Sequence, residues 1–155
     1  MHLYDRGFGE LDAPTLYAIL RLRTDVFVVE QRCPYPELDG RDLEPGTRHV
    51  WLGPAADPAD PRSYVRILAE PDGSARIGRV CTAASARGTG LGRRLMAIAV
   101  CVAGPRPVVL DAQTYLVKFY ASFGFVATGA EFVEDGIPHT PMRRQPPEGE
   151  FEWLS

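Results

Sequence analysis

The stretch Arg87-Gly88-Thr89-Gly90-Leu91-Gly92 decides how this chain reads. Ile77 to Thr82, just before it, reads as a strand, and Leu91 to Val102 reads as a helix. A glycine-rich turn that opens a helix is an anion cradle. The first amides of a helix have no intrahelical acceptor, and the helix dipole adds positive potential beside them. Glycine lets the backbone approach a diphosphate closely and adopt dihedrals that other residues resist. The expected ligand is a small diphosphate-bearing cofactor, held by main-chain amides from Arg87 to Gly92.

Spacing narrows the choice. A P-loop requires a Gly-Lys pair, and the chain has none. The dinucleotide fingerprint G-x-G-x-x-G is met at Gly88 and Gly90, but its third glycine falls on Arg93. Asp111 stands about 20 residues on, where that fingerprint places an acid, so a nicotinamide oxidoreductase stays open. A helix start with convenient glycines is the plain alternative.

Size and charge set outer limits. The 155 residues suit one domain with a single core. A net charge of −3 supplies no global basic field, so no nucleic-acid partner is expected. No apolar run approaches the roughly 20 residues of a membrane span. Met1 to Arg6 lacks a basic region followed by an apolar one, so no signal peptide is expected. Cys33, Cys81 and Cys101 are odd in number and widely spaced, which suggests neither a zinc set nor a disulfide framework and fits a reducing cytoplasm.

Along the chain, Asp12 is a good N-cap for a first helix with proline in its first turn, and Leu16, Ile19, Leu20 and Arg23 follow at helical spacing. Val26 to Glu30 reads as helix or strand, because β-branched residues blur the choice. Gln31 to Thr47 reads as loop. Strands are expected over 49–53, 64–69 and 75–82, the last two joined by an Asp72-Gly73 turn. The helix after the glycine loop places Leu91, Leu95, Ile98, Ala99 and Val102 on one face and ends at Gly104-Pro105. A strand over 108–112 and a helix over 115–123 follow, with Thr114 as a cap and Gly124 as a left-handed C-cap. Strands over 125–128 and 139–144 flank a turn at Glu134-Asp135-Gly136. The order gives a mixed α/β sheet in a single domain, 5–145, with an acidic tail, 146–155.

The loop Arg87 to Gly92 resembles the pyrophosphate loop of the GNAT family of N-acetyltransferases, which binds acetyl-coenzyme A. Leu110-Asp111-Ala112-Gln113 through Phe119-Tyr120-Ala121-Ser122-Phe123-Gly124-Phe125 resembles the family's second cofactor motif. Val26 to Gln31, Cys33 to Tyr35, Leu38 to Gly40 and Glu134 to His139 resemble its ElaA-like, bacterial branch. The likeness covers about Leu11 to Arg144. It implies the acyl-CoA N-acyltransferase fold, a mixed, mostly antiparallel sheet flanked by helices, and acetyl transfer to an amine by direct attack in a ternary complex.

The resemblance also implies roles. Val80, Cys81 and Thr82 run beside the pantetheine arm, and an N–H near Val80 polarises the thioester carbonyl. Cys81 is either a covalent nucleophile or, more in keeping with its type, an apolar filler. Tyr120 is the candidate general acid, since a phenol is protonated at neutral pH. Gln113 stands where the family often has asparagine. Arg87, Arg93 and Arg94 add charge near the diphosphate, though Arg93 and Arg94 also fit a solvated helix face. Glu30 is placed first as the base, with Asp39, Asp111, Glu131, His49 and His139 as alternatives. Glu30, Glu37, Asp39, Asp42 and Glu44 outnumber Arg32 and Arg41, an excess that would draw a cationic amine but also suits a solvated loop. Tyr35 is a surface on which an ammonium could pack.

The resulting cofactor-binding set is Val80, Cys81, Thr82, Arg87, Gly88, Thr89, Gly90, Leu91, Gly92, Arg93, Gln113 and Tyr120. No metal is expected. The acceptor is a small-molecule or peptide amine, and a homodimer is left open. The competing reading is a non-catalytic acyl-CoA-binding or sensing module.

Overall fold

The computed structural model describes residues 1–146. The expected tail, 146–155, lies outside them but for Pro146. The strands are β1 (His2–Arg6), β2 (Arg48–Gly53), β3 (Ser63–Ala69), β4 (Ala75–Thr82), β5 (Val108–Gln113), β6 (Val126–Ala127), β7 (Phe132–Glu134) and β8 (Ile137–Arg144). They form one sheet in the order β1-β2-β3-β4-β5-β8-β6, with β7 also on β8. All pairs are antiparallel except β4 with β5. The mixed sheet expected from the sequence is present.

Helix α1 (Ala13–Thr24) starts where Asp12 accepts a bond from the Thr15 amide at 2.9 Å. The ambiguous run that follows resolves as a π-helical turn, Asp25–Glu30, continuous with α1. Val26 and Phe27 on that turn pack beside the cluster containing Ile19 and Leu22. Helix α2 (Leu91–Ala103) packs with Leu95, Met96, Ala99, Val100 and Ala103 buried, so its inward stripe is turned slightly from the expected one. Leu91, Ile98 and Val102 sit at its margin. The predicted helix over 115–123 is a 3-10 turn, Thr114–Leu116, followed by α3 (Val117–Ala121). Thr114 does not cap it; its hydroxyl meets that of Thr140 at 3.0 Å. Gly124, at φ +91°, ends the turn as expected.

Two strands escaped the sequence reading. β1 carries one buried side chain, Tyr4, too little for a periodic signal. Pairing supplies the rest: Tyr4 lies opposite Trp51, stacks on it at 5.1 Å, and donates to the Pro54 carbonyl at 2.6 Å. β7 turns into β8 through Asp135 and Gly136, both at positive φ, the type I′ arrangement that suits a two-residue hairpin. The hairpin partner at that turn is therefore 132–134, and the expected 125–128 strand shrinks to Val126–Ala127.

The central strands are covered on both faces. Val50, Leu52, Val65 and Ile67 face α2, and Trp51, Tyr64 and Cys81 face α1. On β4 the alternation slips by one residue. Ala75, Ile77 and then Val80 belong to the α2 side, whereas Cys81 belongs to the α1 side. The cause is a β-bulge: Tyr64 pairs with Cys81 and Arg66 with Gly78, so Val65 faces both Arg79 and Val80. Arg79 takes φ +54° to accommodate it.

Candidate active site

β4 and β5 pair only at Ala75 with Val108 and Arg76 with Val109. Beyond those two steps, Ile77 to Thr82 and Leu110, Asp111 and Gln113 line a cleft of about 830 Å³. The π-helical turn contributes Glu30 and Gln31 to its wall, α3 contributes Phe119 and Tyr120, and the β7–β8 hairpin contributes Glu134 and His139. Strands that leave each other present unpaired main-chain groups along the gap, so the cleft is polar along its spine and apolar at its flanks.

The glycine loop closes one end. Gly88 and Gly90 sit at φ +76° and +80°, the left-handed region that glycine enters without cost. Gly92 has ordinary dihedrals, and a Cβ there would lie 3.6 Å from the Thr82 hydroxyl. The first α2 amide with a main-chain acceptor is that of Arg94, to the Gly90 carbonyl at 3.1 Å. Among the described residues, the amides of Gly88, Thr89, Gly90, Leu91, Gly92 and Arg93 have no such partner. The Thr89 hydroxyl donates to the Ala86 carbonyl at 2.5 Å and fixes the loop. These residues fit a diphosphate.

The charges around the loop are distributed differently from the expectation. Arg87 does reach the cleft, where it donates to Glu30 at 2.5 and 2.8 Å and to the Thr82 carbonyl at 3.2 Å. Arg93 does not aim its guanidinium at the loop. It lies over Phe119 and Phe123, at 5.4 and 5.2 Å, and donates to the Ser122 hydroxyl. Arg94 reaches the Met1 carbonyl at 3.4 Å.

Val80 packs on the α2 core and lines the cleft. Thr82 holds the Ser63 hydroxyl at 2.9 Å. Cys81 is 4% exposed among Tyr4, Ile19, Leu22, Trp51 and Tyr64. Burial pushes its thiol up to about 12, so the sulfur stays protonated, which suits the apolar filler better than the covalent nucleophile. Gln113 bridges to Gln31 at 3.4 Å across the cleft.

Tyr120 lines the cleft from α3, edge-on to Phe119 and Phe125. Burial pushes its phenol up to about 12, so it stays protonated. Among the base candidates, Glu30 is held below the ordinary carboxylate range by its bond with Arg87. His49 lies outside the cleft. Its Nε2 is 3.1 Å from the Asp42 carbonyl, which can only accept, so Nδ1 accepts from the Tyr64 hydroxyl at 2.7 Å. Burial lowers its pKa. Glu131 is exposed and does not line the cleft, and Asp111 faces Arg76 at 3.4 Å. His139 lines the cleft with Nδ1 2.8 Å from the Ile137 carbonyl. The same logic puts hydrogen on Nδ1 and, in the neutral ring, the lone pair on Nε2.

The acidic loop is not a free attractor of cations. Arg23, fully buried, takes Glu37 and Asp42 at 2.7 Å each. Arg66 takes Asp39 at 2.8 Å and Asp42 at 3.2 Å, and Arg79 takes Glu37 at 2.9 Å. Although burial alone would raise it, Arg66, the Arg41 amide and Arg79 hold the Asp39 carboxyl at about 2. Tyr35 faces the Arg79 guanidinium at 5.7 Å and donates its hydroxyl to Glu37, so its cation is internal. Among the described residues, no group of three His, Cys, Asp or Glu side chains is placed to hold a metal.

A model of the acetyltransferase (GNAT) domain matches residues 55–146. The chain belongs to the GNAT family. Within it, a UPF0039 protein of Mycobacterium tuberculosis is 49% identical over 146 residues, covering 92% of each chain. The protein ElaA of Escherichia coli is 42% identical over 147 residues, covering 91% of this chain and 94% of ElaA. Two crystal structures superpose closely: an acyl-CoA N-acyltransferase from Pseudomonas aeruginosa (TM-score 0.86, 40% identity, 93% and 99% coverage) and ElaA from Escherichia coli (TM-score 0.85, 38% identity, 93% and 99% coverage). The acyl-CoA N-acyltransferase fold and the ElaA-like branch are thereby established.

For this GNAT chain, the sequence reading missed the partners of Arg79 and Gln31 and the pairing of Arg23 and Arg66 with Glu37 and Asp42. Each acts through a partner 14 or more positions away, such as Arg23 with Glu37 and Gln31 with Gln113, so no local pattern marks it. A buried arginine on a helix face, Arg23 beside Ile19 and Leu22, was the one signal available.

Proposed function

We propose that this chain is a cytoplasmic bacterial enzyme that transfers an acetyl group from acetyl-coenzyme A to a primary amine by direct attack. The run of unpartnered amides from Gly88 to Arg93, at the mouth of a cleft between parting strands, carries the reading. These amides hold the diphosphate, each charge-assisted bond being worth roughly 1.5–3 kcal/mol. The pantetheine arm completes the interrupted edge of β4, and the Val80 amide donates to the thioester carbonyl.

His139 is the base we favour over Glu30, because its Nε2 lone pair is uncommitted among the described residues while Glu30 is paired with Arg87. Tyr120 donates a hydrogen bond to the departing sulfur. A phenol near 12 is a weaker acid than a thiol, so it stabilises the thiolate rather than surrendering its proton outright. The test is titration of acetyl-coenzyme A by calorimetry, followed by thiol release across an amine panel. Binding with release for at least one amine is expected. Binding without release from any amine favours the sensing module, and NADH binding without coenzyme A affinity favours the oxidoreductase.

A further inference from the structure

We propose that Arg79 is a positioning residue: its guanidinium, clamped by Glu37 and Asp39, holds the extra residue of β4 in the left-handed conformation that presents the Val80 amide to the cleft. The inference rests on the acetyl-coenzyme A reading above. Three observations meet at this residue. Arg79 has φ +54°, which an L side chain resists and glycine does not. It is the point where β4 slips by one against β3. Its side chain is held on several sides: Nε lies 2.9 Å from Glu37 Oε2, Nη2 donates to the Glu37 carbonyl at 3.1 Å and to Asp39 at 3.4 Å, and the plane faces Tyr35.

The clamp is itself anchored. Glu37 is 5% exposed and is bound by Arg23 of α1, and Asp39 is bound twice by Arg66 of β3. The tether therefore runs from the helix behind the sheet and from the neighbouring strand, through one loop, to the bulge. Without the bulge, β4 would alternate regularly and Val80 would exchange faces with Cys81. The peptide N–H directions would exchange with them. The acyl carbonyl would lose its donor while the diphosphate loop, several residues further on, kept its own amides. Arg79 thus affects recognition of the acyl group more than the grip on the diphosphate.

Arg79→Ala removes the clamp and keeps the strain, whereas Arg79→Gly removes the clamp and the strain together. Acetyl-coenzyme A and coenzyme A are titrated in parallel against the parent and both variants, with thiol release measured on the amine panel. The parent is expected to prefer the acetyl form by roughly threefold or more. Arg79→Ala should lose that preference, hold coenzyme A within about twofold, and fall roughly a hundredfold in turnover. Arg79→Gly should recover much of both, and Arg79→Lys, which keeps a charge on Glu37, should fall between. A role in folding alone would weaken both ligands together and make glycine worse than alanine. An alanine variant with the parent's preference, or a glycine variant no better than alanine, overturns the proposal. A parent that binds neither ligand removes the cofactor reading, and this inference with it.

Discussion

Glu30 sets its carboxylate against the arginine that leads the glycine loop, at the end of the cleft where we place a diphosphate. One anion therefore competes with another for Arg87. The carboxyl is held below its ordinary range by that bond, so the competition operates at every pH above the lowered value and fades only in acid. Glu30→Gln is expected to tighten coenzyme A binding by roughly two- to fivefold, the range an exposed ion pair is worth. If Glu30 were instead the base, calorimetry would find the affinity unchanged and assays would find the turnover lost. Tyr120→Phe separates the two steps from the other side. Turnover should drop by roughly tenfold or more while the acetyl-coenzyme A dissociation constant moves less than about twofold. Equal turnover in parent and variant would take Tyr120 out of the chemistry. The glycine string and the tyrosine were legible in sequence because each is a local pattern. The partners of Glu30, Arg93 and Tyr35 were not, because folding chooses them from distant segments.

At the scale of elements, the glycine loop separates two uses of the same residue. Gly90 caps α2 at φ +80° with open space around it, so a methyl there costs conformation and not contact. Gly92 lies inside α2, where a methyl meets only the Thr82 hydroxyl at an ordinary distance. Gly90→Ala is expected to destabilise the fold by about 1–2 kcal/mol, and Gly92→Ala to leave it unchanged or raise it by up to about 1 kcal/mol. Urea denaturation reads both, and a neutral Gly90→Ala would mean that the left-handed cap is dispensable. The elements that were legible, α1, α2 and β2 to β4, carry either strong caps or long apolar runs. β1 and β7 are short and have one and no buried side chains, so pairing with β2 and β8 makes them, and no pattern in their own residues announces it. The π-helical turn belongs to the same class, since Val26 to Val29 suits either regular structure until α1 is seen to continue into it.

For the whole molecule, the charged loop between α1 and β2 is the keystone that composition misrepresents. Its three carboxylates Glu37, Asp39 and Asp42 meet three arginines supplied by α1, β3 and β4, so an apparent acidic surplus becomes a balanced, mostly buried network. Asp39 is held at about 2 and Asp42 is also lowered, since their arginines outweigh the burial that opposes ionisation. An unfolded aspartate titrates near 3.9. The folded values lie below the unfolded ones, so between them the unfolded chain binds more protons, and stability rises with pH through that window. The contribution is complete above about pH 5 and is lost as pH falls toward about 2. Asp42→Asn leaves Arg23, fully buried, short of a countercharge and is expected to cost about 3–5 kcal/mol at neutral pH. It should also flatten the acid limb, because one of the groups that generates the slope is gone. Urea denaturation at pH 7, 5 and 3 measures both effects together. A variant that is weakened at pH 7 but keeps the parent's full slope below pH 5 would mean that the network binds the fold without governing its acid response.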